Sequence, residues 1–504
     1  MRPDCLRVPL VIRGQVVDDY ARSFPTARAG DHFCTADVAA HVARLPITAP
    51  AMLDLASLRF CDVLDYLDFL SRCLVPATNL HVQRAFELSR RSSMLSDAML
   101  REMYERIPTL FRRESVMHRA STLLGLEYLD DWLELPAHSD ARTRARVRAF
   151  GARTLHIVAG NAPVIGPVTV LHNAITRGDA IIKSPWNDPL STAAVALTMI
   201  DMARDHPLTR HVSVAYWKGG DSKVEHALYD PRHIEKIVAW GGLSGIRHVI
   251  QSLPPGVDLI ALDPKQGMAV LDGDALARCE SSGLRELARR LALDIGLLNQ
   301  EACFSTRLVY LVGRCRPTDF DLACRLGELA FEELQALPES LSNPHPAFDP
   351  ELKAELDALR MVDLGYRVFG GSANEGSIVV SPNGNPVDFA HRLAGRVANI
   401  VPVASVEQAL AAVGSWTQTV SVYPDAFRDE LRDRLACQGA QRIVPLGAAM
   451  MDPEIVTPQD GMELLRRMCR WVVDESPTAT ALSVRADGLA SRNNVSSLQQ
   501  APAS

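Results

Sequence analysis

TLHIVAGNAPVIGPVTVLHNAITRGDAIIKSP, residues 154–185, decides the fold. From Leu155 to Thr176 no Asp, Glu, Lys or Arg appears, a span long enough to raise a membrane-crossing reading. Gly160, Pro163, Gly166 and Pro167 interrupt it, with two His and two Asn among them, so it reads as a buried strand, a turn and the start of a helix. TLHIVAG is the strand, PVTVLHNAIT the helix and DAIIKS a second strand. The alternation continues with STAAVALTMIDMARD (helix), HVSVAYW (strand), IEKIVAW (strand), SGIRHVIQSL (helix) and VDLIAL (strand). Strands and helices in turn imply right-handed crossovers and a mostly parallel, doubly wound α/β sheet. Such sheets bind ligands beyond the carboxyl ends of their strands. That rule singles out Asn161 after HIVAG, Lys183 ending AIIK, Gly219 and Gly220 after AYWK, Gly241, Gly242 and Gly245 after IVAW, and Asp263 after DLIAL.

Outward from this stretch the chain divides further. Residues 1–135 combine short β-like stretches (LRVPLVIRGQVV) with helical patterns whose apolar residues recur at three and four, such as LRFCDVLDYLDFLSRCL and AFELSRRSSMLSDAMLREMYERI. The basic run HSDARTRARVRAFGAR (138–153) lacks aromatic interleaving and follows the acidic LDDWLEL, so it reads as a solvated helix or connector rather than a nucleic-acid patch. Residues 136–292 form the expected cofactor-type α/β domain. Residues 293–475, with strands such as RLVYLVG, GSIVVS and ANIVPV, form a second α/β domain. Residues 476–504 are polar, rich in Ala and Ser, and read as a loose tail.

Composition excludes several classes. A chain of 504 residues has room for roughly three domains. Sixty acidic against 53 basic residues leave a net charge of -7, which supplies no field to gather nucleic acid or an anionic membrane. The ten Cys form no CxxC pair and no zinc-spaced Cys/His cluster, so no metal site is expected and a reducing, cytoplasmic setting follows. The start, MRPDCLRVPL, lacks the apolar run of a signal peptide.

Two features carry candidate chemistry. GGLSG (241–245), between a strand and a helix, can bring backbone N–H groups close to a pyrophosphate, although it is not a GxGxxG and equally suits a tight turn. No GxxxxGK[ST] loop is present to mark phosphoryl transfer from ATP. Cys303, in NQEACFS, lies in a turn between an apolar helix and a strand at a domain junction, where clefts form. No His or Lys adjoins it, so its activation has to come from tertiary contacts or oriented backbone dipoles.

The order GNAPVIGP, AIIKSP, VAWGGLSG, IALDPK, NQEACFS resembles the aldehyde dehydrogenase superfamily. AYWKGGD, the NQEAC segment and the late series TQTV, RIVPLG, DG and LRRMCRWV resemble its branch of LuxC-type fatty acyl-CoA reductases from bacterial luminescence. The resemblance covers residues 150–475. It implies a Rossmann-type cofactor domain plus an α/β catalytic domain, with a helical N-terminal region before them. It implies Cys303 as nucleophile, with Asn161 and the Cys303 backbone N–H as the oxyanion hole. It gives Lys183 the adenosine ribose or its phosphate, with Ser184 helping to accept a 2′-phosphate, and places Gly241, Gly242 and Gly245 at the cofactor phosphates. Asp263 or Asp258 would be the ribose acid of an ordinary Rossmann domain; the resemblance argues against both.

The implied activity is NADPH-dependent reduction of a long-chain fatty acyl-CoA or acyl thioester to the aldehyde through an S-acyl-cysteine. The resemblance also implies an acyl-protein synthetase or acyl-transferase partner and a homo-oligomer. Other activated acyl groups (short acyl-CoA, carrier-protein thioester, acyl phosphate) and a non-catalytic scaffold stay open as alternatives. Three departures matter. Ala261 stands where hydrolytic relatives carry the Glu that activates water, Arg392 falls near the expected second acid, and QDG (459–461) replaces the HDG of relatives. Without an activated water an acyl-Cys thioester survives long enough to exchange with a thiol or accept hydride.

Overall fold

The computed structural model describes residues 6–26, 30–136, 143–313, 317–361, 365–451 and 455–477. The opening stretch folds as Arg153–Ile157 (strand), Ile165–Thr176 (helix) and Asp179–Lys183 (strand). The helix buries ten of its residues, which is why the run lacks charge without crossing a membrane. Among the described residues no helix is long and apolar enough to do so.

Five parallel strands form the first sheet, in the order Asp258–Leu262, Lys236–Trp240, Arg153–Ile157, Asp179–Lys183, Val212–Ala215. The amino-terminal region extends it: Leu10–Ile12 pairs antiparallel with Val212–Ala215, and Gln15–Val17 completes a hairpin. The helices Phe60–Cys73, Leu80–Ser92, Asp97–Leu110 and Arg113–Leu123 pack into the same core as this sheet, through Leu67, Leu70, Tyr104 and Ile107 against Leu171, Ile175 and Val195. The continuous helical pattern read over residues 85–107 is two helices; Ser96 accepts the Met99 N–H and starts the second.

The changeover to the second sheet falls between Leu262 and Gln266. Its order is Arg367–Gly370, Ser377–Val380, Val397–Val403, Thr306–Val312, Gln266–Asp272, Thr417–Tyr423, Arg442–Pro445, parallel except at the first pair. Helices Ser281–Gly296 and Pro317–Gln335 cover one face.

A third, antiparallel sheet corrects the reading of residues 138–153. Thr143–Gly151 is a strand, paired over its whole length with Cys469–Pro477 and flanked by Leu133–Glu134. Arg144, Arg146 and Arg148 alternate with the buried Val147 and Ala149, a period of two that the helical reading overlooked. Residues 137–142 lie outside the described part. Ser476 and Pro477, at the head of the expected tail, complete this strand pair, and residues 478–504 lie outside the described part. Cys34 is disulfide-bonded, which the pattern of scattered thiols did not suggest.

Candidate active site

The cysteine loop is held by its own neighbours. After helix Ser281–Gly296 the chain turns through Leu298, Asn299 and Gln300, with φ of 52°, 55° and 66°. Three successive non-glycine residues in the left-handed region cost about 1–3 kcal/mol each and persist only where surrounding contacts over-determine them. Here they do. The fully buried Asn299 exchanges two hydrogen bonds of 2.8 Å with Asn343. Gln300 donates to the Thr306 and Val397 carbonyls at 2.8 and 3.0 Å and accepts the Val397 N–H at 3.0 Å. On the other side the second sheet comes close: a Cβ on Gly267 would stand 2.2 Å from the Phe304 carbonyl, so only glycine fits there.

Cys303 emerges from this turn half-buried. Burial pushes its thiol up to about 11, and the field of Asp460 adds to the rise. Three donors oppose it: Gln418 Nε2 at 2.9 Å from Sγ, and the backbone N–H groups of Cys303 and Phe304. The same Gln418 nitrogen donates to Asp460 Oδ1 at 2.6 Å. The guanidiniums of Arg307 and Arg442 are pushed down by burial and held up in part by the field of Cys303. The sulfur is therefore buried, ringed by donors and within the field of two cations.

Asn161 meets this loop from the first sheet. It follows the Arg153–Ile157 strand, and its Nδ2 donates to the Glu301 carbonyl at 3.0 Å, two residues before the cysteine. Its Oδ1 is buried without a partner. The preceding turn is fixed by Asn187, whose Nδ2 donates to the Gly160 carbonyl at 2.9 Å; a Cβ on Gly160 would stand 1.8 Å from Asn187 Oδ1. Asn161 and the Cys303 loop thus come together through the Glu301 carbonyl.

Around the carboxyl ends of the first sheet, Lys183 lies over the rings of Tyr216 and Trp217, 5.8 and 5.6 Å from their centres. Burial pushes its ammonium down to about 8, opposed by the field of Glu225. Ser184 is only 1 % exposed, and its hydroxyl is buried without a partner. Gly242 precedes helix Leu243–Ser252, and Cβ atoms on Gly241, Gly242 or Gly245 would meet nothing within 4 Å. An open glycine turn at a helix start, a desolvated ammonium and an orphaned hydroxyl fit a dinucleotide. Asp258 opens an edge strand of the sheet and pairs with Lys236 at 3.2 Å, while Asp263 lies close enough to Asp460 to raise it. Neither is placed as a ribose acid beside Lys183.

Gln418 and Asp460 are the residues that sequence reasoning missed, although TQTV and QDG both drew attention. Lys265 also finds a place: its Nζ donates to the Ser415 carbonyl at 2.7 Å and its charge draws Asp460 down against burial. Arg392 is tied to Asp349 and Glu351, away from the cysteine. Among the described residues no group of three or more His, Cys, Asp or Glu could hold a metal. A cavity of about 520 Å³ lies elsewhere, lined among others by Arg13, Asp54, Arg210 and His211; Asp54 takes up Arg210 and His211, and Arg13 pairs with Asp179.

Two seven-stranded sheets that meet at a cysteine turn define an aldehyde dehydrogenase fold. Lactaldehyde dehydrogenase from Escherichia coli superposes with a TM-score of 0.69 at 13% identity, covering 94% of this chain and 99% of that one. NADP-dependent glyceraldehyde-3-phosphate dehydrogenase from Bacillus halodurans C-125, complexed with NADP, gives 0.71 at 13%, covering 94% and 100%. Within that fold the sequence is more specific: residues 58–471 match the family described as Acyl-CoA reductase (LuxC), and the chain belongs to it. It is 30% identical over 360 residues, 71% of this chain and 70% of the other, to the long-chain acyl-protein thioester reductase of Vibrio harveyi. The protein is an oxidoreductase, an aldehyde-forming acyl reductase.

Proposed function

We propose that the protein reduces a long-chain fatty acyl thioester, carried on CoA or on a protein, to the aldehyde with NADPH through an S-acyl-Cys303 intermediate. The observation that carries this reading is Cys303 Sγ under three N–H donors, in a loop that Asn161 reaches from the first sheet through the Glu301 carbonyl, with no carboxylate at position 261. Cys303 thiolate attacks the thioester carbonyl, and the oxygen takes up the negative charge beside Asn161 Nδ2 and the Cys303 N–H. The carrier thiolate leaves and is protonated, and the acyl group stays on sulfur. A bound reduced nicotinamide supplies the hydride, two electrons, that this acyl carbon needs. The resulting thiohemiacetal oxyanion is stabilised by the same two donors, and its collapse releases the aldehyde and returns the thiolate. Ala261 cannot act as a base, so the acyl-enzyme is spared hydrolysis.

Lys183 and Ser184 are assigned to the adenosine side, with the ammonium on the 2′-phosphate, and Gly241, Gly242 and Gly245 to the pyrophosphate. An acyl-protein synthetase or acyl-transferase partner, a homo-oligomer and a cytoplasmic setting go with this reading. The name of the Vibrio harveyi relative favours a protein-borne over a CoA-borne acyl group.

The experiment is oxidation of NADPH and of NADH with an acyl-CoA series of increasing chain length, followed by mass measurement of the trapped acyl-enzyme. Aldehyde formation with a long-chain optimum, and an acyl adduct on the peptide bearing Cys303, are expected. An adduct that persists in Cys303→Ala, or reduction confined to short chains or acyl phosphate, sinks the reading. Absence of NADPH binding together with an unreactive Cys303 would leave the scaffold role.

A further inference from the structure

We propose that Gln418 is the hydrogen-bond donor that stabilises the Cys303 thiolate, and that Asp460 is a positioning residue that keeps the Gln418 amide turned with its NH2 group toward the sulfur. This rests on the reading of Cys303 as nucleophile. A side-chain amide offers two donors at one end and an acceptor at the other, with nearly the same shape. A thiol tolerates either end, since S–H can donate to an amide oxygen. A carboxylate only accepts. Asp460 Oδ1, 2.6 Å from Gln418 Nε2, therefore requires the NH2 end, and the second N–H of that nitrogen falls on Sγ at 2.9 Å. Without Asp460 only a long contact, Thr419 Oγ1 donating to Gln418 Oε1 at 3.5 Å, still orients the amide, which can then turn its oxygen to the sulfur and hold the neutral thiol instead.

The backbone supports the assignment. Gln418 is 2 % exposed in the Thr417–Tyr423 strand, so its side chain has little room to leave. Asp460 sits at φ 49° and Gly461 at 71°, a reversal closed by Gln459 and Met462 bonding each other's backbone at 3.1 and 2.9 Å. A non-glycine residue held in the left-handed region at a reactive centre is where functional strain collects. The other charges in reach are Lys265 and Asp263 facing Asp460, and Arg307 and Arg442 facing Cys303, with Glu301 facing Arg307. All stay unchanged in the test below.

The two possible roles of Asp460 have opposite signs. As a bare charge it repels the thiolate; as the orienter of Gln418 it stabilises it. The full-length protein, without substrate, is alkylated with iodoacetamide at one mildly alkaline pH, and the rate at Cys303 is followed by peptide mass. Gln418→Met is expected to slow alkylation by about 10- to 100-fold, the usual worth of a hydrogen bond to a charged group, and to move the midpoint of the pH–rate profile upward. Asp460→Gly, which leaves no side-chain oxygen to hold the amide, is expected to slow it as well, although it removes a negative charge. In the Gln418→Met background the same Asp460→Gly change is expected to speed it, since only the repulsion is left to remove.

Faster alkylation in Asp460→Gly alone, or an unchanged rate and midpoint in Gln418→Met, overturns the proposal. Melting curves screen each variant for folding, and Asp460→Gly, at a left-handed turn position that glycine suits, carries the test if Gln418→Met does not fold. Alkylation reads the thiolate whatever the substrate is, so failure of the acyl-thioester reading, seen in the acyl-adduct experiment, is distinguishable from failure of this one.

Discussion

Removing the amide of Asn161 separates a structural from a chemical role. In the structure the side chain makes one hydrogen bond, 3.0 Å to the Glu301 carbonyl, and leaves Oδ1 unpartnered. Its loss in Asn161→Ala therefore costs about 0.5–1.5 kcal/mol of stability, a melting shift of about 2 °C or less in a chain of this length. Turnover should fall far more. Both tetrahedral oxyanions, in acylation and in hydride addition, lose one of two donors, and loss of one such donor typically costs about 100- to 1000-fold, or about 2.7–4 kcal/mol. The assay pairs steady-state oxidation of the cofactor with single-turnover acylation, followed by the mass of the Cys303 peptide. Both should slow while cofactor binding, read by fluorescence titration, stays near that of the parent. Asn161→Asp, which sets a carboxylate where negative oxygen develops, should be slower still. Turnover close to the parent's in Asn161→Ala, or an active Asn161→Asp, would remove Asn161 from the oxyanion hole.

Other perturbations follow from the same geometry. Burial holds Lys183 at about 8, so its charge is complete below that pH and is lost as pH rises through it; NADPH affinity should fall across that range more than NADH affinity, and Lys183→Met should flatten the difference in a fluorescence titration. Ala261→Glu returns a carboxylate to the position from which hydrolytic relatives activate water, and a chromatographic product ratio should shift from aldehyde toward free fatty acid. Burial pushes His156 down to about 4 and His172 to about 3, so below about pH 6.5 the unfolded chain binds protons that the fold refuses. Stability is complete above that pH and declines as it falls toward those values, by about 1.4 kcal/mol per pH unit for each ring. Urea unfolding midpoints check this, and His172→Asn should remove about half of the slope.

Much of the fold was legible because alternation of apolar strands and helices is a local signal. TLHIVAG, DAIIKS, IEKIVAW and VDLIAL each became a strand of the first sheet. Rules about strand ends then pointed to Asn161, Lys183 and the Gly241–Gly245 turn without any contact being known. The Thr143–Gly151 strand escaped because a row of Arg looks like a solvated surface until its alternation with Val147 and Ala149 is counted. Gln418 and Asp460 escaped for a different reason. A polar residue inside a β-type run carries no mark of what it faces, and the partner that gives Gln418 meaning lies 115 residues earlier. Lys265 and Gly267 are of the same kind: one is explained by the Ser415 carbonyl, the other by the Phe304 carbonyl, and neither contact is local.

The burial that raises the Cys303 thiol to about 11 looks at first like a poor environment for a nucleophile, yet it suits a reductase of thioesters. In thiol exchange the sulfur of lower pKa leaves faster. On the proposed mechanism a carrier thiol near the ordinary value would therefore be expelled in preference to Cys303, and the acyl group would collect on the enzyme. The same property works against the last step, because the thiohemiacetal must expel Cys303 as thiolate. Relief has to be local and has to act on the anion. Gln418 Nε2 at 2.9 Å and the N–H groups of Cys303 and Phe304 are placed to supply it without bringing in water. Water would be the competing acceptor of the acyl group, and with Ala261 at the position of the hydrolytic base no side chain there activates it. On the proposed mechanism the donor set and the missing carboxylate would thus serve one end: sulfur would release an aldehyde while the acyl-enzyme is kept from becoming an acid.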